Sequence, residues 1–207
     1  MGIGPEPSRS GLPLPAKILI GICALVPIAA VGIVVVMPVL LRARAVEGER
    51  RAAADLRAIA AAEQRFRSED ADGNGVRDFW TADVSGLHFF RAGGTPIRLL
   101  DAGIATADLD PRESLSSSAP RVGNWFRMLG RDATGNAFAR DRAFGVSALP
   151  EPGRRGQRVF LIGEENVLLS RSFDGDVLTA GRPPALTGVF PADWPAKEEG
   201  RLWRKGE

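Results

Sequence analysis

The chain has 207 residues, of which 44% are hydrophobic and 25% are charged, and this composition excludes a wholly disordered protein. Because 27 Lys and Arg residues face 25 Asp and Glu residues, the charge predicts a mixed solvated surface and no nucleic-acid partner. The single cysteine, Cys23, excludes an intrachain disulfide, so the fold must depend on its hydrophobic core.

An apolar run follows a short N-terminal segment. Residues 1–17 are rich in Pro and Gly and predict a flexible tail. Residues 18–41 carry no charge, and about 20 helical residues are enough to cross a bilayer core. Arg42 and Arg44 follow directly, as at the end of a membrane span. We therefore expect a transmembrane helix over residues 18–41, in contact with membrane lipid.

The helical pattern continues beyond the apolar run, over residues 42–69. An apolar stripe recurs there at three-, four- and seven-residue steps: Ala52, Leu56, Ile59 and Phe66. Glu63 and Arg67 have the spacing of a favourable ion pair on a helix surface. One helix is predicted from about Ala16 to about Ser68, with Leu56, Ile59 and Phe66 facing a soluble domain.

The sequence VGIVVVMPVLLRARAVEGERRAAADLRAIAAAEQRFRSE combines an apolar run, a proline, a basic exit and a second helical pattern. Over residues 30–70 it resembles the N-terminal helix of type IV pilins and type II secretion pseudopilins. The resemblance implies an α+β fold, with a long N-terminal helix that is transmembrane in its first half and packed on a small antiparallel β-sheet. It also implies other pilin-like subunits as partners, through a helix-packing surface that contains Val31, Pro38, Leu40 and Leu41.

The resemblance implies a single-pass protein of the cell inner membrane, with its N-terminus in the cytoplasm and its domain outside. The distribution of positive charge favours the opposite orientation. Arg9 and Lys17 precede the apolar run, whereas four arginines follow it within ten residues: Arg42, Arg44, Arg50 and Arg51. The sequence leaves this conflict open.

One departure from the pilin pattern opens an alternative function. Pilin precursors carry an acidic peptidase-recognition motif just before the apolar run, and here that stretch reads LPAKILIG, with no acid. The first hypothesis is a structural or accessory subunit of an envelope assembly related to pili or type II secretion. The alternative is a membrane-tethered extracytoplasmic binding module of unknown ligand, calcium-stabilised and not assembled in a filament.

The sequence DADGNGVRD, which follows the predicted helix, is similar to a calcium-binding loop. Oxygen ligands at alternate positions of a tight loop can converge on one Ca²⁺. The candidate ligands are Asp70, Asp72, Asn74, the Val76 carbonyl and Asp78. The twelfth position, where such loops place a bidentate Glu, is Thr81. A plain helix C-terminal turn, with Gly73 and Gly75 at positive φ, explains the same residues and is the competing interpretation.

Short apolar runs separated by turn residues predict a β-rich domain over residues 70–181. The predicted strands are GLHFF, PIRLL, NWFRML, AFGVSAL, RVFLIG and NVLLSRSF, the last two forming a hairpin that turns at Glu164–Asn166. Residues 124–129, 144–150 and 158–173 are loosely similar to globular domains of pilin-like proteins. Residues 110–123 predict an exposed loop. Residues 182–207 form a Pro-rich tail, with Phe190, Trp194 and Trp203 as candidate docking points.

No pattern of catalytic residues stands out in this sequence. His88 is the only histidine, and its place in a predicted strand favours a structural role. The acidic pairs Asp108/Asp110 and Glu164/Glu165 lie in predicted loops. We therefore expect no enzyme, no catalytic residue and no small-molecule substrate. An envelope hydrolase that uses loop carboxylates is a weaker third hypothesis.

Overall fold

The computed structural model describes residues 14–112, 115, 117–151, 158–172, 194–195 and 203–206, with side chains described from residue 36 onward. The chain divides into two compact units, Met1–Ala45 and Val46–Glu207. The second unit contains the candidate site.

Helix α1 is a single helix of 56 residues, Leu14–Glu69. Pro38 lies within it, and no break separates the apolar run from the charged pattern that follows. Among the described residues, no helix is long and apolar enough to cross a membrane. The side chains of residues 18–35, including Val31, lie outside the described part, so the span over residues 18–41 stays a prediction.

The second unit combines α1 with short helices and an antiparallel sheet, which makes the fold α+β. Its further elements are α2 (Gly86–Phe89), β1 (Arg91–Ala92), β2 (Thr95–Pro96), α3 (Ala102–Ala105), β3 (Asn124–Met128), β4 (Gly145–Pro150), β5 (Arg158–Gly163), β6 (Leu169–Ser172) and β7 (Arg204–Lys205). Strands β3 to β7 form one five-stranded sheet in chain order, and β1 pairs with β2. Every pair of neighbouring strands is antiparallel.

One face of the sheet shares a hydrophobic core with α1. Leu56, Ile59 and Phe66 are at most 1% exposed. They lie in the same cluster as Phe126 of β3 and Phe160 of β5. Because the side chains of a strand alternate between faces, the two-sided burial of β4 requires a second apolar layer on the opposite face.

The second layer contains Trp125, Leu149, Val159, Leu161 and Trp203 as buried members, with Trp194 packed against them. Trp194 and Trp203 therefore dock on the sheet, and Phe190 lies outside the described residues. The tail contributes more than docking side chains, because β7 pairs with β6, with Lys205 opposite Leu169 and Arg204 opposite Ser170. The sequence did not predict this strand.

Two of the six predicted strands are wrong. GLHFF forms helix α2, in which the His88 and Phe89 amides donate to the Ser85 carbonyl oxygen. The side chain of Asp83 holds this turn by accepting the Gly86 amide, and local alternation of apolar residues carries no information about that contact. In PIRLL only Pro96 belongs to a strand, β2.

An ion-pair network fixes α1 against the loop before β3. Asp55 is 4% exposed. It receives Arg121 Nε at 3.0 Å and Arg51 Nε at 3.3 Å. Burial raises the pKa of Asp55, and the charges of Arg121 and Arg51 oppose that rise. Arg121 also reaches Asp101, the residue that caps α3, at 2.9 Å.

Candidate functional site

The candidate site is the turn over residues 70–78, where the chain leaves α1. Asp70 adopts a left-handed conformation with φ of 49°, and the Ala71 amide donates to the Phe66 carbonyl oxygen at 3.1 Å. Gly73 and Gly75 have φ of 70° and 82°, which glycine adopts at little cost. These backbone angles end the helix and reverse the chain.

Side-chain oxygens of the turn are partly used by the turn itself. Asp70 Oδ2 accepts the Gly75 amide at 3.0 Å. Asp72 accepts both the backbone and the side-chain amide of Asn74, and Asn74 Oδ1 accepts the Val76 amide at 2.6 Å. Asp72 and Asn74 are therefore engaged with the turn, as the plain-turn interpretation expects.

Two carboxylate oxygens of the turn accept no hydrogen bond from it. Asp70 Oδ1 and Asp78 Oδ1 are both inaccessible to solvent, and neither has a hydrogen-bond donor. Buried carboxylate oxygens are almost always hydrogen-bonded or bound to a cation, because their desolvation is otherwise uncompensated. Among the residues that the structure describes, no group of three or more His, Cys, Asp or Glu side chains is arranged to hold a metal ion.

Glu63 of α1 is a third acid at this corner, and the sequence prediction placed it wrongly. It was expected on the helix surface beside Arg67, but it is 0% exposed. Glu63 Oε2 accepts the Trp80 amide at 2.9 Å, whereas Oε1 has no donor. The Arg67 guanidinium lies instead over the Phe79 ring, 4.9 Å from its centroid.

Burial raises the pKa of Glu63 well above its usual range. The Trp80 amide opposes that rise, and the negative charge of Asp78 adds to it. The sequence carried one signal that could have found this residue. Glu63 lies four positions after Ile59 and three before Phe66, so it belongs to the helix face that the apolar stripe defines.

A second group of buried acids lies in the loops around α2, and each of its carboxylate oxygens accepts at least one hydrogen bond within the fold. Asp83, 3% exposed, accepts four donors: Trp80 Nε1, the Gly86 amide, Ser85 Oγ and the Arg112 amide. Asp108, 1% exposed, accepts the amides of Ser85 and Asp110. Burial raises the pKa of Asp108 to about 6, although the hydrogen bonds from these two amides lower it.

The remaining predicted residues occupy separate places. His88 Nδ1 lies 2.6 Å from the Leu100 carbonyl oxygen and stabilises the loop between α2 and α3. Glu164 and Glu165 are exposed at the turn between β5 and β6. The side chain of Asp110 is 57% exposed and lies 3.8 Å from Arg127 Nη2. The structure thus does not bring the predicted acidic pairs into one cleft with His88.

The large apolar side chains described in the first unit are exposed. Val36, Met37, Val39, Leu40 and Leu41 are each 50–60% exposed. Pro38 lies among them on α1.

No protein-family model, curated protein or solved structure matches this chain. The resemblance to pilins therefore stays a prediction from the sequence.

Proposed function

We propose that this chain is a single-pass, membrane-anchored structural subunit of pilin-like architecture, and that it acts in a cell-envelope assembly related to pili or type II secretion. Its N-terminus would lie in the cytoplasm and its domain outside the inner membrane. The observation that carries the proposal is one unbroken helix, Leu14–Glu69, with exposed apolar side chains at residues 36–41 and core-forming side chains from Ala52 onward.

The exposed apolar side chains favour a covered environment for this part of α1. Fully burying a Val, Leu or Met side chain stabilises by about 1.5–3 kcal/mol, so five adjacent exposed side chains form a surface that water disfavours. Pro38 removes one helix hydrogen bond, which helices in membranes and in helix bundles tolerate. Lipid or the same helix of a second subunit would cover both features.

The partners in this proposal are membrane lipid and other pilin-like subunits. Val31, Pro38, Leu40 and Leu41 would lie in the packing surface between neighbouring helices, where van der Waals contact stabilises association in lipid. The proposal assigns no catalytic residue.

The Leu40→Asp variant tests the proposal in native membranes. A charge at this position should prevent close helix packing and reduce the yield of cross-linked multimers at least fivefold, without changing the unfolding temperature of the second unit. Val122→Asp is the matched control, because Val122 is also 50% exposed but lies in the second unit. Equal multimer yields in both variants and the wild type would contradict assembly through the helix.

The alternative function, a membrane-tethered binding module, is favoured by two observations. The stretch LPAKILIG lacks the acid of a pilin processing site. In the second unit, a cavity of about 480 Å³ is lined by Phe138, Trp194 and Leu169 with the charged groups of Glu164 and Lys205. Such a mixture of apolar walls and a few charges is typical of ligand sites.

Mass spectrometry of the N-terminus of the native protein separates the two functions. A chain that begins near Lys17 or Ile18 with a methylated amine would support processing and assembly as a pilin-like subunit. A chain that begins at Met1 or Gly2 would contradict the filament form and favour the tethered module.

A further inference from the structure

The corner between α1 and the following turn carries three buried carboxyl oxygens that no protein donor reaches. They are Glu63 Oε1, Asp70 Oδ1 and Asp78 Oδ1. Glu63 comes from α1 and the two aspartates from the turn, so two independent parts of the chain contribute. A buried carboxylate oxygen without a partner costs at least as much as a lost hydrogen bond, and a positive charge beside it would offset that cost.

The protein does not supply that charge from the neighbouring basic residue. Arg67 is one turn after Glu63 on α1, but its guanidinium lies over the Phe79 ring. The negative charge of Asp78 acts on Glu63, yet Glu63 Oε1 and Asp78 Oδ1 both lack a hydrogen-bond partner. A bound cation would provide the positive charge that these oxygens lack.

The turn already orients one of its free oxygens. The Gly75 amide holds Asp70 Oδ2, so the Asp70 carboxyl group is fixed and Oδ1 is left for another partner. The positive φ of Gly75 makes this amide contact at little conformational cost. Binding to a prearranged oxygen loses less side-chain entropy than binding to a mobile one.

We propose that this corner binds one calcium ion through Asp70 Oδ1 and Asp78 Oδ1, near the buried and unpartnered Glu63 Oε1. Backbone carbonyl oxygens of the turn and water would complete the coordination. A site with two carboxylate ligands agrees with the finding that no three acidic side chains of the described residues converge.

Calcium fits this arrangement better than magnesium does. Ca²⁺ accepts six to eight oxygens in flexible geometry, including backbone carbonyls, whereas Mg²⁺ requires a near-ideal octahedron and keeps several waters. Bound there, the ion would fix the exit of α1 against the loop that leads to Trp80. This inference does not depend on the proposed envelope function.

Thermal unfolding and calorimetric titration of the full chain in detergent test the site. After EGTA treatment, saturating Ca²⁺ should raise the unfolding temperature of the wild type by roughly 5 °C or more, with one ion bound and a smaller shift in Mg²⁺. The variants Asp70→Asn and Asp78→Asn keep the side-chain shape and should each weaken calcium binding at least tenfold.

Asp132→Asn is the matched control. Asp132 also lies in a polar turn, but its Oδ1 already accepts bonds from Thr134 and Asn136. This variant should keep the calcium response of the wild type. Absence of calcium binding in the wild type would overturn the proposal. Unchanged binding in both Asp70→Asn and Asp78→Asn, or an equal response to Mg²⁺, would also overturn it.

Discussion

The buried carboxyl groups of Asp83 and Glu63 lie in the same unit and differ in one respect, the number of donors that reach them. Asp83 accepts four hydrogen bonds, and Glu63 accepts one. The reason is the backbone around them. Asp83 lies in a loop whose amides are free to turn inward, whereas the amides near Glu63 are already used by helix α1. A buried acid on a helix must therefore find its partners elsewhere.

This difference separates a structural acid from a candidate ligand-binding acid. The loop around Asp83 satisfies its own charge, so it needs nothing from outside the chain. The corner around Glu63 leaves carboxyl oxygens without a donor, and that is why we propose the calcium site there. Variants of the two acids should accordingly have opposite effects on stability when calcium is absent.

The largest effect is expected for Asp83→Ala. The change removes four hydrogen bonds and leaves buried donors, including the Gly86 and Arg112 amides, without an acceptor. We expect the free energy of unfolding to fall by about 4 kcal/mol. Urea unfolding of the full chain in detergent, followed by tryptophan fluorescence, measures this loss.

Asp110→Ala is the control for that variant. Its side chain is 57% exposed and its contact with Arg127 is 3.8 Å long, so the expected change is below about 0.5 kcal/mol. If Asp83→Ala cost no more than Asp110→Ala, the loop network would not be what stabilises this region.

A pH effect is expected next in size, from Asp108. Its pKa is about 6 in the folded chain, against 3.8 for an ordinary aspartate. Between these values the unfolded chain has lost the proton that the folded chain keeps, so stability falls as pH rises from about 4 to about 6. Asp108 thereby lowers the free energy of unfolding by about 3 kcal/mol, and this loss is complete once the pH exceeds the pKa of Asp108 in the folded chain.

Comparison of the wild type with Asp108→Asn isolates that contribution. Urea unfolding at four pH values between 4 and 7.5, in EGTA, should show a shallower decline for the variant, because Asn does not titrate. Parallel curves for the two proteins would show that Asp108 is not the group responsible.

The smallest effect is expected for Glu63→Gln without calcium, and it is a gain in stability, in contrast to the loss expected for Asp83→Ala. The amide oxygen can still accept the Trp80 amide, and the variant removes a buried acid whose Oε1 has no donor. We expect the free energy of unfolding to rise by about 1 kcal/mol in EGTA.

Glu69→Gln is the control for this variant. Glu69 is an exposed acid of the same helix that pairs with Arg65 at 3.2 Å, so its loss should lower the free energy of unfolding by less than about 0.5 kcal/mol. A loss above 2 kcal/mol in Glu63→Gln would mean that Glu63 is a satisfied structural acid.

The candidate site was predictable in part. The spacing of Asp70, Asp72, Asn74 and Asp78 pointed to the turn, because alternate oxygens after a helix are a local pattern. The same pattern did not separate the engaged oxygens of Asp72 from the free ones of Asp70 and Asp78. Glu63 was assigned to the surface because its spacing to Arg67 suited an ion pair, and spacing alone does not say which helix face the sheet covers.

The sequence by itself determined the elements whose signals are local: the long helix, from its 3.6-residue periodicity, and strands β3 to β6, from β-branched and aromatic runs bounded by turn residues. Only the tertiary structure decided the rest. Helix α2 depends on Asp83, strand β7 depends on pairing with β6, and the burial of Glu63 depends on how α1 packs. Each of these outcomes is set by contacts between residues distant in sequence or by a single side-chain hydrogen bond. Contacts of these two kinds produce no periodic pattern in the sequence.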